Sequence, residues 1–399
     1  MPEPDCDILI SGGGVAGLAA ACAFGQAGFS TVCVDPNPPI TDENHAQADL
    51  RTTAFLQPAR NLFERIGVWH LLAPHATALR TMRIVDAGGK TTTARETADF
   101  VADDISDTAF GWNLPNWILR REMLAFIGHS SNINFLPGVA TQKLVTRSAQ
   151  ARVSLDNGTT IATRLLVAAD GRNSMIRQHL GIAANTWRYG QKALAFMVTH
   201  TAPHNNISTE VHRNGGPFTL VPMSDLNGKP RSAVVWMDRG PEICALADLP
   251  VSTFNGALNA RAAGQGGVLT LAGRRSVWPI ISQHAQSLIA QRTVLIAEAA
   301  HVVPPIGAQG LNMSIADIRT LLDLATASPQ DLGAPQMLGR YQRARMPDIL
   351  ARLTGIDVLN RAAMANAPAL RDMRRLGLKT LHGIAPLRKT LMRAGLGLR

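Results

Sequence analysis

Four cysteines, Cys6, Cys22, Cys33 and Cys244, are too few and too scattered to show a metal-ligand spacing. Three of them fall on apolar segments near the N-terminus and read as buried free thiols in a reducing cytoplasm. Aromatics make up only 5% of the 399 residues, and no recognition motif accompanies them, which excludes nucleic acid as a partner. No stretch offers about 18 uninterrupted apolar residues, so no transmembrane helix is expected. Met1–Asp7 lacks the basic region and apolar core of a signal peptide. The first strand begins too early for a transit sequence, and the expected location is the cytoplasm. Neither a repeat nor a low-complexity segment is visible.

Charge is placed unevenly. Residues 339–399 carry 13 Lys+Arg and 3 Asp+Glu, a net of +10, which equals the net charge of the whole chain. The first 338 residues therefore balance. Leu376–Leu398 mixes leucines with Lys379, Arg388, Lys389 and Arg393. Such a basic amphipathic segment lies on anionic lipid, on the inner face of a membrane, meets an accessory protein of a biosynthetic complex, or packs on its own enzyme.

Three motifs carry the chemistry. Cys6–Ser11 reads as a buried strand, followed by Gly12-x-Gly14-x-x-Gly17 and a small-residue helix, Leu18–Gln26. A second strand, Ser30–Val34, ends at Asp35. This is the dinucleotide fingerprint in its required context. The glycines allow a tight turn and close approach to a pyrophosphate, and the acid can bond a ribose hydroxyl. The second motif is an apolar strand, Leu165–Ala169, running into Asp170-Gly171 and a short helix start. Alone, Asp-Gly after a strand is a turn signal; beside the other motifs it becomes a ligand candidate. The third is Val294–Asp317. An apolar strand, Val294–Ala297, meets Glu298, a Pro/Gly-rich turn follows, and Leu311, Ile315, Ile318, Leu321 and Leu322 mark a helix. The turn leaves unpaired N–H groups at a helix N-terminus, a seat for the anionic edge of a reduced flavin.

Thr52–Leu72 reads as one helix, capped by Thr52 or Thr53, with Phe55, Ala59, Leu62, Phe63 and Ile66 inward. Arg121 is read as opening another. Residues of about 75–112 and 187–280 read as β-rich, with Lys192–Thr201, Phe218–Met223 and Ser232–Met237 as strands. Phe218, Leu220, Pro222, Met223, Trp236 and Trp278 mark a candidate pocket region, each being of a type found more often as plain core than as a ligand contact.

Together the motifs resemble the class A flavoprotein aromatic hydroxylases, relatives of para-hydroxybenzoate hydroxylase. Arg51–Ala54, Leu62–Trp69, Leu119–Leu124, Ile356–Arg361 and Leu376–Leu378 are most similar to the ubiquinone-biosynthesis hydroxylases. The resemblance spans Asp5 to about Leu396. It implies an α/β fold like that of para-hydroxybenzoate hydroxylase: a Rossmann-like FAD-binding lobe in discontinuous segments (1–74, 113–186, 281–338), a β-sheet substrate lobe (75–112, 187–280), and basic C-terminal helices (339–399). It implies FAD as cofactor and NADH or NADPH as a transient donor. The implied cofactor contacts are Gly12, Gly14, Gly17, Asp35, Arg51, Arg121 (with Arg120 its rival), Asp170, Gly171, Glu298, and the turn Gly307, Ala308, Gln309, Gly310, Leu311 and Asn312. The backbone at Pro305 and Gly307 would face the reacting edge of the flavin, where a C4a-hydroperoxide would form.

The sequence departs from the family at Ala297-Glu298, where Gly-Asp is usual. The expected function is hydroxylation of a polyprenyl phenol in ubiquinone biosynthesis. A soluble aromatic-compound hydroxylase is the second reading; an acidic substrate would call for a pocket arginine, and only Arg213 and Arg231 are near. A flavin-binding subunit scaffolding a biosynthetic complex is the third. Neither Tyr189 nor Tyr341 sits on an obvious pocket strand. His301 is read as structural, and His45 has no better claim than a surface residue.

Overall fold

In a computed structural model, residues 3–87, 93–213, 215–364, 380 and 382–397 are described. Leu376–Leu378 and most of the basic stretch before it lie outside them. Cys6–Ser11 pairs in parallel with Thr160–Ala168 on one side and Thr31–Asp35 on the other. Thr293–Leu295 extends the sheet in parallel beyond Thr160–Ala168, and Ile133–Pro137 beyond Thr31–Asp35. Parallel sheets are covered on both faces, and Ile8, Leu9, Ile10, Leu165, Leu166, Val167 and Val294 are accordingly fully buried. The alanine-rich helix Val15–Gln26 is buried along Gly17–Gly25 and packs against a long helix, Gln309–Ala327.

A second sheet of nine strands centres on Ala184–His200, flanked by Lys229–Arg239 and Ser276–Ala285. Successive side chains of a strand point to opposite faces, so its two faces have separate fates. Leu194, Phe196, Val198, Phe218, Leu220, Val234 and Trp236 share a core with Phe254 and Leu258. Those two belong to the helix Val251–Ala262. On the opposite face, Met197, Met223 and Ala233 meet Leu50, and Ala193 and Met237 join a cluster with Ile306. Leu50 and Ile306 come from the dinucleotide lobe side of the chain.

The structure departs from the sequence reading in three places. Residues 240–262 hold two helices, Gly240–Asp248 and Val251–Ala262, inside the stretch read as β-rich. Phe218, Leu220 and Trp236 take the plain-core alternative, on the helix-covered face; a one-residue step along a strand decides the side. Thr52–Leu56 is a strand paired with Gly111–Pro115, and the rest of the expected helix is two, Gln57–Arg65 and Trp69–Leu72, broken at Gly67 with φ +75°. Two β-branched threonines favour the strand, and Pro58 suits a first helical turn. Arg121 lies mid-helix, because that helix runs Asn116–Gly128.

Candidate active site

The fingerprint loop is held by close packing. Gly12 adopts φ +111° and its N–H donates to the Val34 carbonyl at 2.8 Å. A side chain at Gly12 would overlap the Ala169 carbonyl, and one at Gly17 would overlap the Gly12 carbonyl. Gly14 differs: no atom lies within 4 Å of where its Cβ would be. That open space sits at the start of helix Val15–Gln26, whose first N–H groups have no partner within the helix. Asp35 Oδ2 accepts from Gly13 N at 2.6 Å, and Oδ1 from Asn37 N at 2.8 Å. Its carboxylate therefore shapes the loop.

The Asp-Gly turn adds an orphaned acceptor. Asp170 Oδ2 accepts from Ile176 N at 3.1 Å, while its Oδ1 is buried with no partner. A buried carboxylate oxygen is costly without a hydrogen bond, so this atom fits a ligand hydroxyl. Ser174 caps the helix Met175–His179 by accepting from Arg177 N. The Arg177 side chain donates to the carbonyls of Ala299 and Arg172, both at 2.8 Å. Arg172 Nε lies 3.9 Å from Glu298 Oε2. These two arginines bring the Asp170 and Glu298 turns together. Neither was singled out from sequence; a buried arginine between strand and turn is the signal that could have found Arg177. Burial pushes its guanidinium below the usual arginine range.

Glu298 is half exposed. Ala297 before it has φ +55°, and Ala308, which precedes the long helix, has φ +56°. Alanine pays about 1–2 kcal/mol in that left-handed region. Ala308→Gly should therefore raise stability by about 0.5–1 kcal/mol after the entropy of an unfolded glycine is offset. A higher denaturant midpoint at unchanged slope is the expected readout. Ala297→Gly should gain less, since it also loses a buried methyl.

The turn Pro304–Ala308 leads into the helix Gln309–Ala327, presenting the unpaired N–H groups of its first turn. Pro305 and Gly307 are exposed, and Ile306 is buried. Asn312 does more than sequence implied. Its Oδ1 accepts from Leu56 N at 2.9 Å, and its Nδ2 donates to Ala54 and Ala308 carbonyls at 2.8 and 2.6 Å. The side chain thus ties helix to strand, leaving its contribution to a ligand to the backbone.

Arg51 forms a bidentate pair with Asp49, both contacts at 2.8 Å, and its guanidinium lies 4.0 Å above the Trp278 ring. Burial works against both charges. Mutual bonding wins, holding the Asp49 carboxyl below the ordinary range and raising Arg51, with Glu298 adding to the latter. Asn116 donates to Asp49 at 3.0 Å, and Arg120 stands 3.9 Å away. The structure thus brings Arg120 to this cluster. Arg121 instead meets Glu122 and His75 and lies 5.2 Å from the Trp117 ring.

Behind the turn is a buried ion cluster. Asp317 Oδ2 bonds His301 Nε2 at 2.7 Å and accepts from Ala297 N at 3.1 Å. Its Oδ1 accepts from Arg345 Nε at 2.7 Å. Burial raises the Asp317 carboxyl, but His301 and Arg345 overcome this and hold it below the ordinary range. His301 is buried and bonds the carboxylate of the long helix, not its own turn as its sequence context implied. Tyr189 is better placed than its sequence showed. It lies on the long strand Ala184–His200, packs on the cluster containing Ile306, and bonds Ser282 Oγ at 2.8 Å and Asp357 Oδ1 at 2.7 Å. Cys6, Cys22 and Cys33 are buried and free, and burial pushes the Cys6 thiol up to about 11.

The open space at Gly14, the orphaned Asp170 oxygen and the unpaired N–H groups before Leu311 fit the pyrophosphate, a sugar hydroxyl and the anionic ring edge of FAD. A parallel dinucleotide lobe with a second sheet laid against its late turn defines a flavoprotein of the hydroxylase fold. The sequence profile of the family described as "FAD binding domain" matches residues 5–354. The chain belongs to this family of flavin-dependent monooxygenases. It is 30% identical to the ubiquinone hydroxylase UbiL of Rhodospirillum rubrum, over 98% of this chain and 89% of that protein. It is 26% identical to the 3-demethoxyubiquinol 3-hydroxylase of Escherichia coli, over the full length of both. In fold it is similar to p-nitrophenol 4-monooxygenase PnpA of Pseudomonas putida, with a TM-score of 0.79, 16% identity and 98% of each chain covered. PqsL, a probable FAD-dependent monooxygenase of Pseudomonas aeruginosa, aligns at a TM-score of 0.77 and 20% identity, over 94% of this chain and 99% of that one. Among the described residues no helix is long and apolar enough to cross a membrane, and no group of side chains could hold a metal ion.

Proposed function

We propose that this flavin monooxygenase hydroxylates the aromatic ring of a polyprenyl phenol on the route to ubiquinone, with NADH or NADPH as electron donor and O2 as oxygen source. The observation that carries this reading is the sheet face turned toward the dinucleotide lobe. It is built from Ala193, Met197, Met223, Ala233 and Met237, with Val235 beside them. These side chains are buried against Leu50, Ile306 and Ile356, and methionine adapts its shape to irregular apolar ligands, so a neutral, lipid-like phenol would enter beside this face by repacking it. Arg213 and Arg231, the nearby candidates for an acidic substrate, donate to the carbonyls of Ala260 and Ser224. The likeness to two ubiquinone-pathway hydroxylases along the whole chain supports the same substrate class.

Bound FAD would supply the redox chemistry, by which two electrons from the nicotinamide and O2 put one oxygen atom on the ring and release the other as water. The chain's own part is positioning. The N-termini of helices Val15–Gln26 and Gln309–Ala327 stabilise negative charge on the cofactor. Asp170, with its orphaned buried oxygen, and Glu298 would fix its sugar chain. The apolar sheet face orients the phenol and excludes water.

Deleting the gene in its own host and examining the quinone-fraction lipids by mass spectrometry tests this. A polyprenyl phenol lacking one hydroxyl should accumulate, and its structure gives the ring position. An unchanged quinone pool would overturn the reading and turn the search to small soluble phenols.

A further inference from the structure

A carboxylate is costly to bury unless something neutralises it or uses it. Glu210, on the strand Ile207–His212 of the second sheet, is only 7% exposed. Its Oε1 lies 2.8 Å from His212 Nε2. A carboxylate can only accept, so Nε2 carries the ring proton, and Nδ1 of the neutral ring is a bare acceptor. That Nδ1 is buried and has no partner. A histidine kept for structure fills both nitrogens, as His200 does. Its Nδ1 donates to the Ala202 carbonyl at 2.6 Å, and its Nε2 meets Ser232 Oγ at 3.0 Å.

Register places the pair on the sheet face turned toward the dinucleotide lobe. Val211, between the two, belongs to the helix-covered core, so Glu210 and His212 point the other way. Glu210 aligns with Thr219, Thr219 with Val235, and Val235 with Ala195. Aligned residues of neighbouring strands share a face. Val235 packs on the cluster of Ala193, Met237 and Ile306, the last of these from the flavin-facing turn. Two strand spacings, roughly 10 Å, separate it from Glu210. The pair is thus a polar end to a face whose centre is Ala193, Val235 and Met237. The other charges beside it are engaged. Asp86, aligned with His212 on the next strand, bonds Arg95 at 2.6 Å, and Arg213 donates to the Ala260 carbonyl at 2.9 Å.

We propose that His212 is the base that takes the hydroxyl proton of the phenol, and that Glu210 is its positioning residue; this rests on the phenol-hydroxylase reading above. As the ring takes up oxygen, the hydroxyl oxygen pushes its electron pair toward the ring, its O–H bond breaks, and the proton passes to Nδ1. Glu210 holds the ring in the tautomer that leaves Nδ1 free and balances the charge the imidazole gains. When the ring sheds its C–H proton to solvent and regains aromaticity, His212 returns the first proton to the oxygen and ends neutral. The pair moves only a proton; the oxidant and the electrons are those of the hydroxylation itself.

The test uses the full FAD-loaded chain with NADH or NADPH, O2, and either 2-geranylphenol or plain phenol. At about pH 7.5, His212→Gln should hydroxylate 2-geranylphenol about a hundredfold more slowly, and Glu210→Gln at least about tenfold more slowly. Consumption of the nicotinamide should persist, with hydrogen peroxide replacing product, and FAD content and melting should be unchanged. A phenol of pKa about 10 ionises without help as pH rises. His212→Gln should therefore regain about tenfold per pH unit up to about pH 9.5, while the natural chain changes less than about threefold. A merely structural defect is not cured by alkali. Hydroxylation by His212→Gln at the natural rate, or a loss that higher pH does not relieve, would overturn the base and leave the substrate reading standing. Equal turnover of plain phenol and 2-geranylphenol, with the same pH-relieved loss in His212→Gln, would support the base and count against the polyprenyl reading.

Discussion

Asp317→Ala should destabilise the fold by about 3–5 kcal/mol, the cost of leaving a buried partner charge uncompensated. Arg345 is buried, and its Nε bonds Asp317 Oδ1 at 2.7 Å. Its other partners, Asp348 and the Met313 carbonyl, do not replace that bond. The Ala297 N–H would lose its acceptor as well. Chemical denaturation measures the loss, and a change under about 1 kcal/mol would mean that water reaches the site and solvates Arg345. The same carboxylate gives a pH signature. Its folded value is lowered, so its contribution is complete above the unfolded value of about 3.9 and lost as pH falls through the folded one. Acid titration of stability should therefore be shallower in Asp317→Asn than in the natural chain.

Gly14→Val should cost about a hundredfold or more in FAD affinity, equivalent to about 2.7 kcal/mol, with the fold intact. Gly14 has φ −66° and ψ 178°, an extended conformation open to any residue, and nothing of the protein crowds its missing Cβ. A valine there fills only the approach to the helix N-terminus. Gly12→Ala and Gly17→Ala should instead cost stability, since their new methyls meet main chain. Titrating FAD into apoprotein by fluorescence, beside a melting curve, separates the two effects. Wild-type affinity in Gly14→Val would mean the pyrophosphate lies elsewhere.

Four strands of the parallel sheet were legible because each has a short apolar centre, Ile8–Ile10, Val32–Val34, Leu165–Ala168 and Val294–Leu295, beside a motif turn or its acid. Cys6–Ser11 and the helix after it fall where their residues place them. Thr52–Leu56 was missed because its partner, Gly111–Pro115, lies more than fifty residues on, and strand pairing at that distance leaves no local mark. The facing of the second sheet was also hidden: Phe218 and Met223 both look like pocket residues until register separates them. At the site, the motif residues of the three turns were readable, but what joins the turns was not. Arg177 reaches Ala299 and Asn312 reaches Ala54 across 122 and 258 residues of chain. Tyr189 gained its place only through packing on Ile306's cluster.

The strand order has a consequence for synthesis. Ser11 aligns with Ala168, and Ala168 in turn with Leu295. At roughly 5–20 residues per second, the fingerprint strand leaves the ribosome roughly ten to thirty seconds before its inner neighbour exists. The late turn that completes the cofactor site follows after a further wait of similar length. During that interval Ile8, Leu9 and Ile10 have an open, apolar edge, the kind of surface that invites mispairing. The cofactor can therefore reward folding only near its end, and a nascent chain stalled before Val294 would be a client for chaperones rather than a half-built flavoprotein.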